Sequence, residues 1–427
     1  MSVKSVIQSV VTGHLTSARR EASLRAKAEA ARQKTGAAHV VRYFHQVDDP
    51  YSHLAVQALE QVAARYEIEL VPHLVGPPAD WAAPERAKLV AYARLDAARL
   101  ASAAGLSFTD PGGQPEPVAL EEAQRRLAGA LGSPGWVSLA REIGDHLWSG
   151  RPIGEGPAAE AGAAIAAGEA ARASLGHFMS GMIQYGGEWY WGFDRLHYLE
   201  ARLEALGARR FGGAPGPVYA PPLVPSGGGR KAGAELHWYL SFRSPYTYIA
   251  AERVKALADA YGAELKLRFV LPMVMRGLPV PRAKQMYFTL DTAREARRAG
   301  VPFGRIADPV GRPVERGYSL LPWARTEGRG FEFVLAFMRA VWANGVDAGS
   351  DAGLCRIVEA AGLDWGAARG LIGNDDWRAE AEANRAEMMA MGLWGVPCVR
   401  VGDVAAWGQD RLWVAEAALK ALPEGNQ

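Results

Sequence analysis

Two short runs, HVVRYF at 39–44 and ELHWYL at 235–240, are apolar and rich in β-formers, the pattern of buried strands. Each leads into a helical pattern that begins near a Pro-Tyr pair, Pro50-Tyr51 in the first case and Pro245-Tyr246 in the second. Proline suits the first helical turn, because the N–H it lacks would have no partner there. A helical crossover separates each run from a second one, IELVPHLV at 68–75 and ELKLRFVL at 264–271, and strands joined in that way run parallel. Towards the end, Gly395-Val396-Pro397 turns into an apolar run from Cys398 to Val401, and a Gly-Asp turn follows. From Asp410 onward, RLWVAEAALKAL carries apolar residues at helical spacing. The expected class is α/β.

The pattern occurs twice. A shift of 195 places Pro50-Tyr51 on Pro245-Tyr246 and runs without a gap to Phe108 on Phe303, matching Tyr66 to Tyr261, Pro77 to Pro272, Tyr92 to Tyr287, Asp96 to Asp291 and Arg99 to Arg294. A second shift, 216, places Trp191-Gly192-Phe193-Asp194-Arg195-Leu196 on Trp407-Gly408-Gln409-Asp410-Arg411-Leu412. The difference of 21 makes the first copy shorter in its second half, and AARGLIGNDDWRAEAEANRAEMMAM (367–391) has no clear counterpart beside AAEAGAAIAAGEAARAS (158–174). Between the copies, the proline and glycine of RRFGGAPGPVYAPPLVPSGGGRKAG exclude a long helix or a central strand, so this segment reads as a linker with a boundary near Gly213 to Ala232. The expected organisation is an N-terminal helical extension at 1–37, a first domain at 38–205, a linker at 206–232 and a second domain at 233–427.

Three stretches of the second copy carry a family resemblance: Trp238 to Ala250 (WYLSFRSPYTYIA), Pro281 to Phe303 (PRAKQMYFTLDTAREARRAGVPF) and Met391 to Leu412 (MGLWGVPCVRVGDVAAWGQDRL). Together they resemble the DsbA-like thioredoxin superfamily, and within it the 2-hydroxychromene-2-carboxylate isomerases and kappa-class glutathione transferases. The resemblance implies two tandem thioredoxin-like domains, each with a helical insertion, and a cis peptide at Val396-Pro397. It also implies glutathione as the cofactor. Ser244 would donate a hydrogen bond to the glutathione sulfur, and Val396 and Pro397 would pair with the tripeptide backbone in strand fashion. Gln409 and Asp410 would hold the γ-glutamyl end, and Lys284 would lie near a carboxylate of glutathione or substrate. The thiolate would add to an electrophilic carbon of a small, possibly aromatic substrate, for which Trp238, Tyr246, Phe288, Trp323 and Trp394 are candidate pocket walls.

The residues also admit plainer roles. Ser244 and Asp410 are both good helix N-caps, Lys284 suits a helical surface, and Cys398 suits a buried strand. Tyr287, Asp291 and Arg294 recur in both copies, and with Arg294 three residues after Asp291 they read as a brace for the inserted helix. The copies differ where the chemistry would be. Asp49 stands in place of Ser244, and Ser180-Gly181 in place of Val396-Pro397. A carboxylate beside a thiolate repels it and raises its pKa, so the second copy is the competent one. One departure from the family is the loop Met275-Arg276-Gly277-Leu278-Pro279, which lacks the family's glutathione-fixing asparagine; Arg276 there suits a different anion.

Composition narrows the remainder. The 427 residues exceed one ordinary core. Lys plus Arg (48) nearly cancels Asp plus Glu (46), which points to neither a nucleic-acid nor a membrane partner. The two cysteines, Cys355 and Cys398, form no C-x-x-C, which sets thiol-disulfide exchange far behind; a reducing, cytoplasmic compartment is expected. The nine histidines form no ligand pair, so no metal site is expected. Residues 1–37 are basic and Ser-rich, somewhat as in an organelle transit peptide, but the expected role is a helix that packs on the body or pairs two subunits in a homodimer. The expected function is a glutathione-dependent isomerase or transferase; the alternative is a non-catalytic thioredoxin-fold binding or scaffold protein.

Overall fold

The computed structural model describes residues 3–212, 214–223, 225–231, 233–278 and 280–424. Gly213 and Ala232, at the ends of the expected linker boundary, and Pro279 in the Met275 loop lie outside them. Helices α1 (Val3–Leu15) and α2 (Ala18–Thr35) precede β1 (His39–His45), α3 (Pro50–Arg65) and β2 (Ile68–Leu74). Then come α4 (Arg86–Ala104), α5 (Pro117–Gly129), α6 (Trp136–Trp148), α7 (Ala161–Ser174), β3 (Met182–Tyr185), β4 (Glu188–Trp191) and α8 (Leu196–Ala205). The order resumes with β5 (Glu235–Leu240), α9 (Pro245–Tyr261), β6 (Glu264–Phe269), α10 (Arg282–Arg298), α11 (Arg312–Thr326), α12 (Gly330–Trp342), α13 (Asp351–Ala360) and α14 (Trp365–Arg369). It closes with α15 (Trp377–Ala390), β7 (Cys398–Val401), β8 (Val404–Trp407) and α16 (Leu412–Ala421). The class is mixed α/β.

The chain divides into two compact units, residues 22–221 and residues 1–21 with 222–427. Each holds one four-stranded sheet, in the orders β2-β1-β3-β4 and β6-β5-β7-β8. In both, the first pair is parallel and the other two are antiparallel. Pro72 sits on β2, an edge strand, where a missing ladder N–H is tolerated. Local hydrogen bonds repeat as well. Tyr51 Oη–H donates to Asp96 and Tyr246 Oη–H to Asp291, each at 2.8 Å. Gly192 N–H reaches Gly181 O at 2.9 Å, and Gly408 N–H reaches Pro397 O at 3.0 Å.

In the 22–221 unit, α3 starts on Pro50 with Asp49 as its cap, and Leu54, Leu59 and Val62 face the core with Val41 and Phe44 of β1. In the other unit, α9 starts on Pro245 with Ser244 as its cap and ends on Gly262, whose φ of +63° favours glycine. Its core joins Trp238, Leu240 and Val254 to an aromatic cluster of Phe242, which follows β5, with Tyr318 of α11 and Phe333 and Phe337 of α12. Helix α1 belongs to this unit. Its small-residue face seats on the loop after α10: Thr12 Oγ1 accepts from Ile306 N–H at 3.0 Å, and Arg297 donates to Thr16 O at 3.1 Å. In the 22–221 unit, Arg25 of α2 forms a bidentate pair with Glu188 at 2.6 and 2.9 Å.

The sequence left the segment from Ala367 to Met391 without a counterpart, and the structure supplies one. Helices α7 and α15 both pack on the edge strand of their sheet, meeting the same carbonyl: Gly168 lies directly on Leu74 O, and Asn384 Nδ2 donates to Phe269 O at 3.1 Å. Gly168 and Asn384 are 216 apart and Leu74 and Phe269 are 195 apart. The surplus therefore lies before α15, where α13 and α14 stand.

Candidate functional site

The strand β5 leads into Ser241-Phe242-Arg243-Ser244, and this stretch is held on several sides. Phe242 N–H reaches the Tyr318 hydroxyl at 3.4 Å, Trp342 Nε1–H donates to Phe242 O at 3.0 Å, and Arg243 pairs bidentately with Asp308 at 2.8 Å. Ser244 is thereby placed at the head of α9, where its hydroxyl accepts from Thr247 N–H at 3.1 Å. The capping role read from the sequence is present. The hydroxyl proton points elsewhere, to Val396 O at 3.3 Å. That distance is longer than an ordinary O–H···O bond, so the donor is only weakly engaged.

Val396 is half-buried and stands outside the ladder, immediately before β7. The Val396-Pro397 peptide is cis. Behind this loop, Trp394 and Trp407 meet edge to face at 4.9 Å, and Gly395 admits no side chain because a Cβ there would come within 2.5 Å of the Trp407 ring. Arg276 reaches the same loop, at 3.4 Å from Trp394 O. Cys398 is buried with its sulfur 2.8 Å from Gly395 O, and burial pushes its thiol well above the ordinary range, so it stays protonated. Cys355 is also a free thiol.

The Gly408-to-Pro397 bond sets the next loop, with Gln409 and Asp410, beside the proline turn. Asp410 is not the N-cap of the last helix. That helix begins at Leu412, Arg411 occupies the cap position and makes no side-chain capping bond there, and Asp410 lies 3.3 Å from the Arg411 guanidinium. Gln409 is 3% exposed; its carbonyl accepts from Arg253, and its amide donates to Glu295 at 2.6 Å.

From α10, Lys284 approaches through aromatic neighbours. Its ammonium lies 5.8 Å from the Phe288 ring, and Phe288 meets Tyr246 edge to face at 5.9 Å. Tyr246 is in the first turn of α9 and bonds Asp291, which also takes Arg294 at 2.6 Å. The brace expected of Asp291 and Arg294 is formed. The surface placement expected of Lys284 is not: the residue is 5% exposed, and burial lowers its pKa. Of the candidate pocket aromatics, Tyr246 and Phe288 flank this approach. Trp238 is fully buried in the core, and Trp323 packs against that core half-buried. Sequence reasoning missed Arg253 and Glu295, which lie 156 and 114 positions from Gln409.

In the 22–221 unit the corresponding helix head is filled. Asp49 accepts from Tyr51 N–H, Ser52 N–H and the Ser52 hydroxyl at 3.2, 3.1 and 2.7 Å. Burial raises its pKa to about 6. Gly181 stands opposite with φ +65°, and a Cβ there would lie 3.3 Å from the Asp49 carboxylate. Among the described residues, no group of three or more His, Cys, Asp or Glu is placed to hold a metal ion, and no helix is long and apolar enough to cross a membrane.

Comparison with known proteins bears on one half of the chain. Residues 235–420 match the family model of the DSBA-like thioredoxin domain. The 2-hydroxychromene-2-carboxylate isomerase of Pseudomonas putida is 23% identical over 199 residues, which are 45% of this chain and 97% of that protein. That of Sphingobium xenophagum is 25% identical over 194 residues, 43% of this chain and 97% of the relative. Among solved structures, a 2-hydroxychromene-2-carboxylate isomerase aligns with a TM-score of 0.38 at 23% identity, covering 43% of this chain and 93% of the other. The cytosolic disulfide reductase DsbM from Pseudomonas aeruginosa with GSH aligns with a TM-score of 0.31 at 18% identity, covering 42% and 96%.

Proposed function

We propose that residues 235–420 form a glutathione-dependent isomerase or transferase site for a small electrophilic substrate, and that the chain is a tandem duplication whose first copy has lost this chemistry. The observation that carries the reading is the Ser244 hydroxyl, which caps α9 while its proton rests on a long bond to Val396 O beside Pro397. The isomerase names of the relatives support it. The shared strand order and the repeated local hydrogen bonds support the duplication.

The residues present suit the tripeptide. Ser244 would face the sulfur, the main chain of Val396 with Pro397 the peptide backbone, and Asp410 on the Gln409 loop the γ-glutamyl ammonium. Lys284 would face a carboxylate of glutathione or substrate; the loop before α10 lacks the family's asparagine, and Arg276 there would meet a different anionic group. When bound, glutathione would supply a thiol whose ionised form attacks an electrophilic carbon. Ser244 would transfer its hydrogen bond from Val396 O to that sulfur. A free thiol has a pKa near 8.5, and lowering it by one to two units takes about 1.4–2.7 kcal/mol. One hydrogen bond to a charged group contributes roughly 1.5–3 kcal/mol, and the α9 N-terminus adds to it. Tyr246 and Phe288 would shield the sulfur from water on the α10 side. A cytoplasmic homodimer fits this reading.

The test is ultraviolet titration of the thiolate in the glutathione-loaded protein. The wild type should ionise glutathione about one to two pH units below the free thiol, and Ser244→Ala should restore most of that difference. Identical titrations of the two proteins overturn the assignment of Ser244.

A further inference from the structure

Gln409 is tied at both ends of its amide, to Arg253 of α9 and to Glu295 of α10. Three elements thus meet in one polar bridge: the helix capped by Ser244, the inserted helix carrying Lys284, and the loop carrying Asp410. Gln409 and Glu295 are 3% and 2% exposed.

The other copy shows what this place in the fold requires. At the shifts of 195 and 216 that align the copies, Arg253 corresponds to Ala58, Glu295 to Leu100 and Gln409 to Phe193. All three are apolar, and they are 0%, 0% and 1% exposed. One turn bond recurs around them, Arg195 N–H to Gly192 O at 3.4 Å and Arg411 N–H to Gly408 O at 3.3 Å, while the turn glycines differ, with φ +60° at Gly192 and +128° at Gly408. An aromatic plug therefore fills the position in one copy and a charged bridge in the other. Apolar replacement of a buried ionic network is often neutral or stabilising, so fold stability alone does not account for the bridge. It occurs in the copy with Ser244 and Pro397.

We infer that Arg253, Gln409 and Glu295 are positioning residues that fix the Gly408–Arg411 loop, and with it Asp410, against the head of α9 for the amino end of the ligand. This rests on the reading of residues 235–420 as the glutathione-binding copy. A polar bridge of fixed length sets the loop's direction as well as its depth, whereas a phenylalanine plug specifies only that space is filled. With both amide ends engaged, Gln409 acts through the loop.

The experiment transplants the first copy's solution into the full chain as Arg253→Ala, Glu295→Leu and Gln409→Phe together. The expected variant keeps or raises its thermal midpoint. Its Gly408 and Arg411 amides exchange with deuterium about tenfold faster, and glutathione binds about tenfold more weakly. Gln409→Met, which keeps the length and removes both bonds, should show the same two changes with an unaltered circular dichroism spectrum. A triple variant that melts well below the wild type makes the bridge a support of the fold and overturns the inference. So does unchanged exchange at Gly408 and Arg411 in Gln409→Met. If the wild type binds no glutathione, the functional reading fails by itself, and the exchange measurement still decides the positioning role.

Discussion

Glu200 and Glu416 occupy one register position in the last helices of the two units, and each gives a buried carboxylate to the chain that joins them. Glu200 accepts from Val218 N–H at 2.9 Å; Glu416 accepts from Ser226 N–H at 2.6 Å and from the Tyr261 hydroxyl at 3.0 Å. A linker sequence full of proline and glycine gives no sign of these clamps, because the acceptors lie in helices whose own pattern only marks them as polar. Burial raises the Glu200 pKa to about 7. Between the ordinary value of 4.5 and that point, the folded state holds a proton that the unfolded chain has released, so the residue's contribution to stability falls as pH rises through the window. Glu200→Gln should therefore gain on the wild type from pH 4.5 to about 7 in urea unfolding of the full chain; a difference that does not change with pH would show that burial has not shifted this carboxyl. Lys284 was unreadable for a similar reason. Its helix carries Lys, Gln, Arg and Glu throughout, and only the packing of α10 on α9 shows which of them is inside.

Between elements, the likeness of the two units was legible where both keep strands and a helix head, as at Pro50-Tyr51 and Pro245-Tyr246. It was lost where the two units solve one contact with different chemistry. Gly168 and Asn384 meet equivalent carbonyls, one by having no side chain and the other by donating to it, and no residue-type comparison pairs glycine with asparagine. The glycine solution is strict, since a Cβ at Gly168 would come within 1.9 Å of Leu74 O, a backbone atom that cannot swing aside. Gly168→Ala should cost the 22–221 unit about 1–3 kcal/mol, seen as earlier loss of amide protection on β1 and β2, with β5 and β6 unaffected. Unchanged protection would mean that α7 does not sit this close to the sheet. The Arg253–Gln409–Glu295 bridge escaped the sequence for the same reason: its members are scattered along the chain, and each alone reads as an ordinary helical or loop polar residue.

For the molecule as a whole, two helix heads that both begin on a Pro-Tyr pair carry caps of opposite character. At α3 the chain places its own carboxylate, Asp49, on the N–H groups that a ligand anion would need, and Gly181 closes over it. At α9 the cap is a neutral hydroxyl with a proton to give, beside Val396 and Pro397. On the function proposed, the chain would hold a single glutathione site that includes Ser244. Calorimetric titration of glutathione into the full-length protein tests this most directly. One equivalent per chain, weakened about tenfold or more in Ser244→Ala, is the expected result. Two equivalents, none, or binding indifferent to Ser244 would contradict it.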